Sequence, residues 1–166
     1  MDDRAAPIAD FTSHLATRRL RDDGRVALLS VPLTRHLHRL PVIPLLHGRL
    51  ATAAWSWDRR DAITREWWQQ GITWASDSLL LVSWYAKSGG SRASVVDLET
   101  RRYAHITLLT PTGDPLEIHA GGLAWIDGWL YVAATGKGFW TLHESDLYPG
   151  LVEQRGAPAT SVVETR

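Results

Sequence analysis

From Trp67 to Leu142, apolar residues alternate with small or polar ones in short runs separated by turn residues, the pattern of antiparallel strands. Gly71-Ile72-Thr73-Trp74 opens the first run, and Ser76-Asp77-Ser78 turns the chain into a second, Leu79-Leu80-Leu81-Val82-Ser83. The hairpin Lys87-Ser88-Gly89-Gly90 leads to a third strand, Ala93 to Leu98, and a fourth follows over Tyr103-Ala104-His105-Ile106-Thr107-Leu108-Leu109. The same order then recurs. Gly122-Leu123-Ala124-Trp125, the turn Asp127-Gly128, Trp129-Leu130-Tyr131-Val132-Ala133, the hairpin Gly136-Lys137-Gly138 and Phe139 to Leu142 match the first series in sequence. The two lysines of the chain, Lys87 and Lys137, each stand five residues after a matched valine, Val82 or Val132. A spacing of about 50 residues agrees with the length of one propeller blade.

The pattern before Trp67 is different. Residues 7–21 predict a short helix, with Pro7 in its first turn, an apolar stripe of Ile8, Phe11, Leu15 and Leu20, and Asp22-Asp23-Gly24 as its stop. Val26 to Val31 predicts a strand. Pro32, Pro41 and Pro44 then divide the chain into short extended pieces, Leu50 to Trp57 predicts a further strand, and Asp58 to Glu66 a charged connection. Residues 151–160 predict a flexible tail, with Ser161-Val162-Val163 the one segment beyond Tyr148-Pro149-Gly150 that reads as a strand.

The expected fold is therefore mainly β: two propeller-type four-stranded blades and an irregular N-terminal region with a short helix, an incomplete propeller. The expected divisions are 1–60 for the N-terminal region, 61–147 for the two repeats (71–109 and 122–147), and 148–166 for a tail or closing strand. Propeller rings need about four blades. Two blades leave open edges, and self-association, the N-terminal segment or the rest of a longer protein are the ways to cover them.

Composition narrows the possibilities. Hydrophobic residues make up 45% of the chain, enough for a packed core. Nine tryptophans all fall between positions 55 and 140. Large sheet faces packed on one another explain that density best; a carbohydrate surface using exposed Trp67, Trp84 or Trp140 is the alternative. Lysine plus arginine equals aspartate plus glutamate at 18 each, so nothing in the charge points to nucleic acid or a membrane. The first 65 residues carry eleven arginines against seven aspartates, scattered as on a solvated surface. The absence of cysteine excludes disulfides, thiolate metal sites and cysteine nucleophiles. Met1-Asp2-Asp3-Arg4 lacks the basic-then-apolar pattern of a signal peptide, and no apolar run approaches the ~20 residues of a membrane span. A soluble chain is expected, and its compartment is left open because an exported precursor could be trimmed ahead of this point.

Three segments carry a resemblance. Trp68-Gln69-Gln70-Gly71-Ile72-Thr73, Leu80-Leu81-Val82-Ser83-Trp84-Tyr85 and Ile118-His119-Ala120-Gly121-Gly122-Leu123-Ala124-Trp125 resemble a group of uncharacterised, often secreted, actinobacterial propeller-like proteins. The blade openings more distantly resemble the streptogramin lyase and gluconolactonase-like six-bladed propellers. The resemblance spans roughly residues 50–147 and implies a fold. The nearer group carries no activity to transfer, and fold alone does not define function.

Candidate chemistry centres on His119, just ahead of the opening strand of the second repeat. In streptogramin lyase and related propellers, histidines near the axis act as general acid or base or help to bind a metal, which is what the resemblance implies here. Glu117 stands two residues away and would share a face with His119 on an extended strand, an acid–base couple. A histidine capping a turn is the structural alternative. Gln70, Trp74 and Trp125, on the two inner strands, are the expected ligand-binding residues. His36 and His38 would lie on one face of a strand and could share a divalent metal, with His47 as a third ligand, although Arg35 and Arg39 flank the pair and disfavour a cation. Asp77 and Asp97 read as hairpin caps. No strand–loop–helix phosphate frame, nucleophile elbow or zinc-protease motif is present. The leading expectation is a binding or assembly module; the alternative is a lyase or hydrolase with His119 as general acid or base.

Overall fold

The computed structural model describes residues 31–110, 112–136 and 138–144, together with the backbone of 157–158 and 161–163. The expected helix 7–21, the strand from Val26 apart from its last residue, Val31, Lys137 and most of the tail lie outside the described residues.

The described fold is mainly β. A short N-terminal segment contains β1 (Arg35–His36), β2 (His38–Leu40), the one-turn helix α1 (Pro44–His47), β3 (Ala54–Ser56) and the one-turn helix α2 (Arg59–Ala62). A meander follows: β4 (Trp67–Trp74), β5 (Leu79–Ala86), β6 (Ser91–Asp97) and β7 (Arg102–Leu109), each antiparallel to the next. β1 adds to the outer edge of β7, and β11 (Ala157–Pro158) pairs with β7 in parallel. The second meander is β8 (Leu123–Ile126), β9 (Trp129–Ala133) and β10 (Phe139–His143). Its fourth strand is β12 (Ser161–Val163), antiparallel to β10, which is the segment beyond Pro149 that the alternation singled out. β2 and β3 form a separate two-stranded ribbon.

The turns follow from their residues. Asp127 and Gly128 join β8 to β9 with φ of 48° and 79°, the mirror-image two-residue turn whose twist suits a hairpin. Asp97 accepts from Glu99 N at 2.8 Å and from Thr100 Oγ1 at 2.8 Å, so it caps the β6–β7 turn as expected. At the β4–β5 turn the cap is Ser76, whose Oγ accepts from Leu79 N, rather than Asp77. The two glycine-rich hairpins are out of step. Ala86 N bonds Gly90 O, four residues past Val82, whereas Ala134 N bonds Gly138 O, two past Val132. Equal lysine offsets therefore do not mark equivalent hairpin positions.

Strand alternation gives the first sheet two buried faces. Leu79, Leu81, Ala93, Val95, Ala104, Ile106 and Leu108 point towards the second sheet and pack with Leu130, Val132 and Leu142. Val82, Trp84, Val96 and Tyr103 point the other way, under Leu37, Trp55 and Trp57 of the N-terminal segment. A strand buried on both sides reads as a near-continuous apolar run, as Leu79 to Val82 does. From Leu37 to Trp57 the irregular segment is thus a covering layer for one face of the first sheet, while Val31 and Leu33 at its start join the core between the sheets.

The sheets converge at their inner strands. β4 carries a bulge between Gln69 and Ile72, and Gly71 sits in it. Gly71 N–H donates to Ser83 Oγ at 2.8 Å, and Ser83 Oγ donates to Ala120 O at 2.6 Å, tying the bulge to the link that enters the second sheet. A Cβ on residue 71 would lie 3.1 Å from Leu123 N and 3.2 Å from Gly122 C, so the approach requires glycine.

Candidate functional site

Two polar clusters stand out, one buried and one open. The buried one forms where the covering layer meets the first sheet. Asp58 caps α2 by accepting from Asp61 N, which turns Asp61 inward. Asp61 is 5% exposed and receives four side chains. Arg35 Nη1 lies 2.9 Å, Tyr103 OH 2.7 Å and His105 Nε2 2.8 Å from Oδ2, while Arg92 Nη2 lies 3.1 Å from Oδ1. The network continues from His105 Nδ1 to Ser94 Oγ at 2.8 Å, and Ser94 Oγ accepts from Trp84 Nε1 at 2.7 Å. The Arg92 guanidinium lies against Trp67 and Trp84, 4.3 and 4.7 Å from the ring centroids. Trp57 meets Trp84 and Tyr103 edge-on at 4.9 and 4.8 Å.

The electrostatics follow from this geometry. Burial alone would raise the Asp61 pKa, but hydrogen bonds from His105 and Tyr103 and the charge of Arg92 outweigh it and hold the carboxyl well below the usual carboxylate range. Burial pushes the His105 imidazole down, against its bond to Asp61, so the neutral ring is favoured. Burial and the bond to Asp61 push the Tyr103 phenol up. Ser94, His105 and Asp61 form a hydrogen-bonded series, but Ser94 is fully buried and its oxygen already accepts the indole N–H. No reactant reaches it. The cluster holds two layers together; it is not a nucleophile site.

The open cluster is a shallow cleft of about 240 Å³ lined by Tyr85, Ala86, Lys87, Gly89, Gly90, Glu117, Ile118 and His119. The link between the sheets builds it. Leu116 is buried in the core, and Ser91 Oγ bonds the carbonyls of Leu116 and Ile118, so Glu117 and His119 face outward. The His119 ring lies against Tyr85 with centroids 4.8 Å apart. The Glu117 side chain closes over Gly89, where a Cβ would lie 2.9 Å from Oε1. Lys87 Nζ stands 5.1 Å from the Trp68 ring centroid. Glu66 accepts from Ser88 N and Oγ, anchoring the hairpin that forms one wall.

The structure thus brings His119 and Glu117 to one cleft, on an irregular link rather than the extended strand expected. Neither makes a side-chain hydrogen bond or ion pair among the described residues. The cleft gathers an acid, an imidazole, a phenol and an ammonium group without a partner that would fix a tautomer on His119.

The other expected site residues are dispersed. Gln70 is exposed on β4 with its amide on the Gln69 carbonyl, Trp74 is exposed at the end of β4, and Trp125 is half-buried against the core. His36 and His38 are both exposed but belong to different strands, opposite Arg102 and Ser56 respectively. His47 Nδ1 accepts from Ile43 N at 2.9 Å. Among the described residues, no three His, Cys, Asp or Glu side chains come together to hold a metal. Trp84 corrects the carbohydrate expectation: it is 1% exposed and presents no surface. Among the described residues no helix is long and apolar enough to cross a membrane.

The Asp61 cluster was missed because the four partners lie 26 to 44 residues from Asp61 in sequence. A signal existed. Arg92 and Ser94 on β6, and Tyr103 and His105 on β7, are polar residues at alternate positions inside otherwise apolar strands, and buried polar groups require partners. The chain matches no protein-family model, curated protein or solved structure.

Proposed function

We propose that the chain is a binding or assembly module built from two propeller-type blades. The supporting observation is how the sheets stack. Aligning Gly71 to Trp74 with Gly122 to Trp125 makes the cross-strand pairs equivalent: Ile72 opposite Val82 and Trp74 opposite Leu80 match Leu123 opposite Val132 and Trp125 opposite Leu130. The facing residues are nevertheless not equivalent. Leu81 points into the core between the sheets, whereas its counterpart Tyr131 belongs to the far face of the second sheet. Val132 points into that core, whereas its counterpart Val82 lies under the covering layer. The sheets therefore stack front to back. A two-fold sandwich would join equivalent faces; radial repetition joins front to back, as propeller blades do.

Such stacking leaves the ends to be covered. The N-terminal layer covers the outer strands of the first sheet, and self-association supplies the rest. Light scattering across a concentration series tests this: a dimer or larger closed species is expected, and a monomer at every concentration sinks it.

A second reading is a lyase or hydrolase at the His119 cleft, supported by His119, Glu117 and Tyr85 sharing one surface. A divalent metal there would draw on Glu117 and His119. Turnover of a lactone or ester panel that disappears in His119→Ala would carry this reading; equal rates in both proteins would end it.

A further inference from the structure

We infer that the Ile72–Trp74 stretch of β4 is the docking surface for a second copy of this chain, which presents the inner strand of its second sheet, β8. The inference rests on the blade reading above. Ile72 is 62% and Trp74 57% exposed, side by side on one face of an edge strand. Isolated exposed apolar residues are ordinary, but two adjacent large ones on an unpaired edge invite association.

The chain itself shows what covers such a face. Leu123 and Trp125 hold the equivalent positions on β8 and are half-buried against the first sheet. Their cover is the far side of the preceding meander, reached through the close approach of Gly71 to Gly122 and Leu123. The covering layer, from Leu37 to Trp57, does not provide the same cover for Ile72 and Trp74, since its apolar contacts are with β5, β6 and β7 and with Trp67 at the start of β4, while Val31 and Leu33 ahead of it pack into the core between the sheets. The surface that reproduces the internal junction is the far side of another second sheet, with Gly122 where Gly71 stands within the chain. Two copies joined in this way supply four sheets, about the smallest number that closes a ring. A formal net charge of zero offers a polyanion no competing attraction.

The absence of cysteine makes the contact readable with single substitutions. Ile72→Cys is placed on an exposed side chain, and Gly122→Cys finds only Ala133 Cβ at 3.4 Å, so both proteins should fold. The two are mixed, allowed to exchange and oxidised. Front-to-back docking predicts a disulfide-linked dimer in the mixture and none in either protein alone. Cross-linking of Ile72→Cys with itself would mean that two β4 strands meet edge to edge, and would overturn the inference. A light-scattering mass that is dimeric and unchanged by the double variant Ile72→Glu, Trp74→Glu would also overturn it while leaving self-association in place. The expected result for that variant is a halved mass. A wild-type protein that stays monomeric removes the self-association reading, and the docking surface with it.

Discussion

His105 Nε2 lies 2.8 Å from Asp61 Oδ2, and this bond joins the outer strand of the first sheet to the one-turn helix that carries the covering layer. Asp61 also neutralises Arg35 and Arg92. Removing it strands the Arg92 guanidinium against Trp67 and Trp84, while Arg35 keeps only its longer contact with Asp58. Asp61→Ala should therefore cost about 3–5 kcal/mol of stability, the range for breaking a buried ion cluster from one side. Urea unfolding followed by tryptophan fluorescence measures it, and a loss below about 1 kcal/mol would mean that the cluster contributes little.

The same groups predict how stability depends on pH. The folded-state pKa of His105 is lowered, so the unfolded chain binds its proton more readily; its contribution is complete above the unfolded value of about 6.5 and declines as pH falls below it. Asp61 is also depressed, so its contribution is present above about 4 and is lost on further acidification. Denaturation midpoints should fall in two stages, first as the pH drops below about 6.5 and again below about 4. His105→Gln should abolish the first stage and leave the second.

Tyr103→Phe separates hydrogen bonding from packing. The ring stays against Trp57, while Asp61 loses one donor and Asp58 N loses its acceptor. A cost of roughly 1.5–3 kcal/mol is expected for a hydrogen bond to a charged group, measured by thermal or urea unfolding.

Gly71→Ala tests the junction between the sheets. The new methyl would meet backbone atoms of Gly122 and Leu123 at 3.1–3.2 Å, and neither can move without shifting a strand. A loss of about 1–3 kcal/mol is expected. Ser83→Ala should cost roughly 1–3 kcal/mol at the same junction, because Gly71 N–H loses its buried acceptor. The two losses should not add in the double variant, since both loosen one contact.

His119→Ala and Glu117→Gln should leave stability within about 0.5 kcal/mol of the parent, since both side chains are exposed. A large loss in either would show that the cleft residues support the link between the sheets rather than face a ligand.

Much of the strand framework was legible in the sequence, because alternation and turn residues act locally. Every strand from β4 to β10 falls within a few residues of its expected place, and Ser161 to Val163 is paired. The charged connection after Trp57 was less transparent. It contains α2, whose single turn depends on Asp58 as a cap and on Asp61 finding partners from three distant strands. Nothing local reports that convergence. For the cleft, the proximity of His119 and Glu117 was readable from their spacing. Tyr85, Lys87 and Gly89 join them through tertiary contact alone.

The covering layer has one more consequence. Its apolar contacts fall over β5, β6, β7 and the start of β4, while Ile72 and Trp74 further along β4 stay bare. On the blade reading proposed above, a cover confined to one side of the sheet makes a wedge. Slabs of even thickness stack into columns, whereas wedges turn.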